Sequence, residues 1–329
     1  MGMDSNGIYV RVAHRSTTNS GHTIVAIRKP QIYQGTFIAT NLFLTNDFDL
    51  KLWTIQPAVN FDAVPTNGYT WLLAKGPPDL STNYRGGEIF YRRLQWLDTN
   101  TVGLDTNWIA VGNSGTDYRN YYDLDGTNIT THPEDGITAP VLNGMVPLFE
   151  VGSRLASVTI RGGFLWTCQT IGLSGTNGAY AGDKSGTNVD RSAIQWFRMQ
   201  IATNGSALTI RDHGRVFDSV EATNAWWYHY GSLAMNCPGD MIMGFSGSSA
   251  TNYIGAFYTC RLADGTLFSP PRILQLGSIG HTQGWGDYSA TVLDPVSQWS
   301  FWTVQAYSAP YGAGAQRWRT VVAEIRAKP

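Results

Sequence analysis

The side chains best suited to holding a ligand stand just ahead of strand-like apolar runs. Trp285, Asp287 and Tyr288 precede the run at 289–293. Trp226, Trp227, Tyr228, His229 and Tyr230 lead into the run at 232–236, and Arg154 leads into 156–160. Aromatic faces suit the C–H surface of a sugar ring, while a neighbouring Asp or Arg bonds hydroxyls or carboxylates. The same residues have a plainer use. Trp and Tyr wedge between sheets, and an Asp such as Asp287 pins a turn by accepting backbone amides.

Other chemistries have less to work with. Glycoside hydrolysis uses two carboxylates about 5–10 Å apart. The acids near expected strand ends are Asp47, Asp49, Asp62, Glu150, Asp218, Glu221 and Asp287, and no motif pairs any two of them. The histidines, His14, His22, His132, His213, His229 and His281, lack HxxxH or HxH spacing, and there is no CxxC. No GxSxG elbow, P-loop or strand-borne GxGxxG is present. Asp123, Asp125 and Asn128 lie in the stretch DLDGTN, which has the outline of a calcium loop and equally of an ordinary Asp/Gly turn. No cofactor is expected unless that stretch holds calcium.

Composition narrows the class. Of 329 residues 43% are hydrophobic and only 14% charged, with 36 glycines and 12 tryptophans. This describes a turn-rich, aromatic, weakly charged protein. The net charge is −1 with Lys and Arg scattered, so neither nucleic acid nor an anionic membrane surface is an expected partner. No apolar run approaches the about 20 residues of a membrane span. The opening residues, Met-Gly-Met-Asp, have neither the basic nor the apolar region of a signal peptide, and the chain reads as a piece of a longer exported protein. Cys168, Cys237 and Cys260 cannot all pair within one chain. A Cys237–Cys260 bridge and three buried thiols are the alternatives. Thr-Asn recurs between the apolar runs, where it suits turns, and is given no active role.

The elements that must position these residues are strands. Hairpin outlines recur at 30–40, 57–73, 156–168, 232–246 and 285–307. Fuller four-strand sets run over 57–112, 148–218 and 226–276, and 285–326 supplies three strands. A repeated antiparallel set of this kind predicts an all-β fold, a β-propeller of about five to six four-stranded blades in one domain over 1–329. Residues 7–13 are expected to close the ring by completing the last blade. Residues 113–147 interrupt the pattern as an irregular insertion, and helix is essentially absent.

The stretches Gly163–Thr167, Ser192–Phe197, Gly239–Ser246, Trp285–Ser289 and Phe301–Gln305, in this order, resemble a group of bacterial exported β-propeller proteins without an assigned activity, similar in look to sialidase/BNR-type propellers. The resemblance covers roughly residues 148–326. It implies a propeller from an exported, multi-domain bacterial protein, at the cell surface or outside the cell. Arg28-Lys29-Pro30, ahead of Gly35–Ala39, is similar to the early Arg-x-Pro element of sialidases, which adds Arg28 to the ligand-binding candidates. Asp-boxes are missing; Ala263–Phe268 is a poor imitation. The leading expectation is a non-catalytic module that binds a glycan or a protein surface at the axial mouth and contributes to an extracellular assembly. The competing one is a sialidase-like hydrolase using Arg28, Arg154 and an axial carboxylate such as Asp287.

Overall fold

The computed structural model describes residues 1–14, 21–44, 55–65, 68–75, 89–113, 138–141, 144–147, 155–174, 176, 179–180, 190–265, 268–281, 285, 289–310 and 316–327. They form an all-β fold of several sheets. Among them no helix is long and apolar enough to cross a membrane. The chain divides into two compact units. The first holds 1–119, 157–167 and 197–212, and the second holds the remainder.

In the first unit the strands Gly7–His14, Gly21–Arg28 and Ala39–Leu44 form an antiparallel meander. Ile55–Pro57, Tyr69–Lys75, Ile89–Trp96 and Ile109–Ala110 form another, with Val102–Leu104 also on Ile89–Trp96. Alternate residues of both sheets meet in one core, in which Tyr9, Ile24, Leu44, Ile55, Leu72, Leu94 and Trp96 are buried. Val59–Asn60 leaves the second meander. It lies between Gly2–Met3 and Ser157–Arg161, parallel to both.

Gly2 is required there, because a Cβ would lie 2.5 Å from the Ala58 carbonyl oxygen. Asp4 then anchors the inserted N-terminal segment. Its buried carboxylate accepts the amides of Asn6 and Gly7 and the hydroxyls of Tyr9 and Thr70. Burial and then the charge of Asp4 push the Tyr9 hydroxyl far above its ordinary pKa, so it stays a donor.

Two expectations are corrected here. Residues 7–13 do not complete the last blade; they pair with Gly2–Met3 on one side and Gly21–Arg28 on the other. The short connection after His14 makes a local hairpin partner cheaper in loop entropy than a distant one. The hairpin outline at 30–40 is a short helix, Lys29–Tyr33, followed by Ala39–Leu44. Pro30 lies in the helix's first turn, where its fixed φ suits a helix and its missing N–H costs nothing.

Three long strands, Phe164–Ser174, Arg191–Ile201 and Leu208–Val216, have residues in both units and follow Ser157–Arg161 in sheet order. The second unit also holds a four-stranded meander, Trp227–Met235, Met241–Ser249, Asn252–Arg261 and Arg272–Gln275. Ala290–Leu293, Ser300–Pro310 and Gln316–Arg326 form a three-stranded one. Ala234, Ile242, Leu293, Phe301 and Ile325 bury the apolar faces of these two sheets together. Between them runs a polar ladder: Gln305 donates to Ser232 (3.1 Å) and Thr303 (2.9 Å), and Thr291 bridges the hydroxyls of Ser232 and Thr303. Gly244 makes room for it; a Cβ there would meet Gln305 and Thr303 at 2.3 Å.

The insertion at 113–147 is not irregular throughout, since Thr138–Val141 and Gly144–Pro147 pair as a hairpin. Pro140 and Pro147 hide it in the sequence, because proline argues against a strand away from an edge. None of the three cysteines is in a disulfide, with Cys168 buried and Cys237 exposed, so neither the Cys237–Cys260 bridge nor three buried thiols is found.

Candidate functional site

The described residues of the first unit form a cleft of about 530 Å3, open along one side. Three chain segments build it: 60–65 with Gly68, the hairpin tip at 162–164, and the hairpin tip at 200–205. Small-molecule sites span about 300–1,000 Å3, so this one has ligand dimensions.

Asp62 joins the first two turns. Its Oδ1 accepts the Gly162 amide and its Oδ2 the Gly163 amide, both at 2.8 Å. The two glycines have φ of 62° and 76°, so their amides point the same way, an arrangement side chains with Cβ adopt only under strain. The Asp62 amide in turn donates to Asn60 Oδ1 at 2.9 Å. The carboxylate is held edge-on, and each oxygen keeps a further lone pair for a ligand.

Arg93 joins the third turn to the aromatic wall. It is paired with Asp105 (2.8 Å), donates to the Gly205 carbonyl at 2.7 Å, and lays its guanidinium over the Tyr69 ring at 4.5 Å. Gly205, with φ of 65°, lies so close that a Cβ would come within 3.1 Å of that ring. The Tyr91 hydroxyl donates to the Ser206 carbonyl at 3.4 Å, and the Ser206 amide to Asn204 Oδ1 at 3.0 Å. Arg198 stacks over Phe164 at 3.7 Å. The lining thus combines the apolar Tyr69, Trp71, Ile160 and Phe164 with amide, hydroxyl and carboxylate groups of Asn60, Asp62, Gln200, Thr203 and Asn204.

The residues singled out from sequence go elsewhere. Asp287, Tyr288 and Arg154 lie outside the described residues, as do Asp123, Asp125 and Asn128. Trp285 is buried in the second unit, donating to Ser246 Oγ at 3.1 Å with His281 against its ring. Trp227 and Tyr228 are buried in the first strand of the four-stranded meander. The Tyr228 ring packs on Phe245 and Phe257, and burial, then Asp218, raises its hydroxyl pKa. Trp226 packs on Phe257. Arg28 is buried in the first unit with its guanidinium 4.9 Å from the Trp96 ring centroid, and its Nε and Nη1 meet no acceptor.

His229 and Tyr230 form a strained step in the second unit. The register with Met241–Ser249 shifts between His229 and Ser232, and Tyr230 has a φ of 56°. Thr170 and Ser289 hydroxyls hold the Tyr230 amide and carbonyl at 3.0 Å each. The His229 ring is fully buried, and neither nitrogen reaches a partner in hydrogen-bond geometry. Burial holds its pKa down to about 3; the Trp227 backbone lies near enough to oppose this only slightly. Among the described residues no group of three or more His, Cys, Asp or Glu converges as a metal site would require.

Of the cleft residues, the sequence reading reached only Asp62, as one acid among several near strand ends. Thr203-Asn204 is one of the Thr-Asn pairs that reading set aside as turn chemistry. The signal was the company these residues keep: a Gly-Gly hairpin tip and a Thr-Asn-Gly tip, each beside an aromatic.

No protein-family model matches the chain, and no curated protein does. Among solved structures it is similar to a protein of unknown function from Dyadobacter fermentans, at 10% identity and a TM-score of 0.35, over 99% of this chain and 97% of that one. It is also similar to a Trypanosoma rangeli sialidase in complex with the inhibitor DANA, at 8% identity and a TM-score of 0.36, over 93% of this chain and 51% of that one. The same sialidase with 2,3-difluorosialic acid as a covalent intermediate matches at 8% identity and a TM-score of 0.32, over 94% and 57%. The chain thus spans little more than half the length of the sialidase. At these TM-scores the likeness carries no functional argument.

Proposed function

We propose that this chain is a non-catalytic, exported β-propeller module that binds a glycan in the first unit's cleft. The observation that carries the reading is the cleft's make-up. Aromatic side chains line it together with a preset carboxylate and several neutral hydrogen-bonding side chains, the combination that sugar rings use. Of the described residues lining it, Asp62 is the one carboxylate, and both of its oxygens already hold backbone amides. A two-carboxylate hydrolysis would need a second acid across the bond. The propeller part of the proposal draws on the succession of antiparallel meanders along the chain, of which Trp227–Met235 to Arg272–Gln275 has the four strands of a blade. Export draws on the low charge and the Thr-, Asn- and Gly-rich turns.

The test is a glycan array probed with the purified chain and with Thr203→Trp, an exposed position on the cleft's rim, alongside mass analysis of the glycans. Binding without cleavage, lost in the variant while its melting curve is unchanged, is the expected result. Cleaved glycans would overturn the non-catalytic reading in favour of a hydrolase. Binding that survives Thr203→Trp would move the site away from this cleft, and silence on the array would move the function to protein partners.

A further inference from the structure

We infer that the cleft selects neutral sugars presenting a vicinal diol and discriminates against acidic ones, a specificity that rests on the glycan-binding reading above. The cleft's charge is decided by where its arginines go. One of them, Arg211, donates to Oε1 of the lining residue Gln200 at 2.8 Å, and three others are stacked on aromatic rings: Arg93 on Tyr69, Arg161 on Phe61 at 5.4 Å, and Arg198 on Phe164. None of the three is among the described residues that line the cleft. Arg93 is further committed to Asp105 and to the Gly205 carbonyl. These three guanidiniums are held on rings, and among the described residues the lining itself carries a single formal charge, that of Asp62.

The hydrogen-bond pattern agrees with the charge. Each Asp62 oxygen spends one acceptor site on a hairpin amide and keeps another, so two acceptors sit side by side on one rigid carboxylate. Adjacent ring hydroxyls can donate to both at once. Asn60 Oδ1 accepts the Asp62 amide and Asn204 Oδ1 the Ser206 amide, which leaves their Nδ2 groups as donors for a ligand in the cleft. A hydroxyl both donates and accepts, and so satisfies both sides. A sugar carboxylate or sulfate only accepts. It would satisfy the amides, strip Asp62 of its donors and place like charges together in a half-enclosed site.

The experiment pairs neutral and acidic ligands of the same backbone: lactose with 3′-sialyllactose, and a galactose trimer with a galacturonic acid trimer. Each is titrated calorimetrically against the wild-type chain, Thr203→Trp and Thr203→Lys, the last adding a cation at the exposed rim. At least one neutral ligand is expected to bind about tenfold or more tightly than its acidic partner, with the gap closing in Thr203→Lys. Acidic ligands that bind as well as or better than neutral ones, and are blocked by Thr203→Trp, would overturn this inference and leave the glycan-binding cleft standing. Binding of either class that survives Thr203→Trp, or no binding of any pair, would overturn both.

Discussion

His229 makes the second unit sensitive to acid in a way that can be measured against a non-titrating variant. An imidazole free in an unfolded chain titrates near pH 6.5, and the buried ring is held down to about 3. Below about pH 6.5 the unfolded state therefore binds a proton that the folded state refuses, and stability falls as pH falls until about pH 3. Over the span from about pH 7.5 to about pH 4.5 the linkage integral comes to about 3 kcal/mol. That is a large share of the about 5–15 kcal/mol a domain possesses. The carboxylates titrating over the same range are common to wild type and variant, so the quantity to read is the difference between them. His229→Leu removes the titration while keeping an apolar side chain in an apolar site. Hydrogen exchange of the strand Trp227–Met235 reports the local opening free energy without requiring the two units to unfold together. The wild-type strand is expected to lose about 3 kcal/mol of protection relative to His229→Leu between those two pH values. A wild-type-minus-variant difference that stays flat with pH would refute the reasoning, because it would mean the ring finds a partner for its proton when charged.

Three further outcomes test the packing and the cleft. Gly244→Ala forces a methyl into Gln305 and Thr303, and should lower the stability of the second unit by about 3 kcal/mol, read as an earlier thermal transition. Gly205→Ala places a Cβ against Tyr69 at a φ of 65°, and should weaken ligand binding in the cleft by about tenfold at 1–2 kcal/mol of backbone strain, with little change in the melting of the second unit. A thiol reagent should label Cys237 in the folded protein and leave Cys168 unreacted until denaturant is added, followed by peptide mapping.

What the sequence determined by itself was local. The two apolar runs in 232–246, separated by a short Asn/Gly turn, are enough to give an antiparallel pair, because strand length and an adjacent turn are both local. The turns between such strands, with Gly239 at a φ of 99° after Asn236, are written in adjacent residues. Tertiary structure decided everything that joins distant stretches. Nothing in residues 2–3 or 59–60 marks them as parallel neighbours, since so short a pairing is stabilised by what surrounds it and not by its own propensity. Trp227, Tyr228 and Trp285 carry the residue types of a sugar site, yet large rings gain most by burial, and the fold has put them inside. Asp62 bonds glycines about a hundred positions away, and the tip at 205 reaches Arg93 from more than a hundred. A carboxylate in sequence is an acceptor without a direction; only the meeting of three turns tells which amides it takes and what it has left to offer.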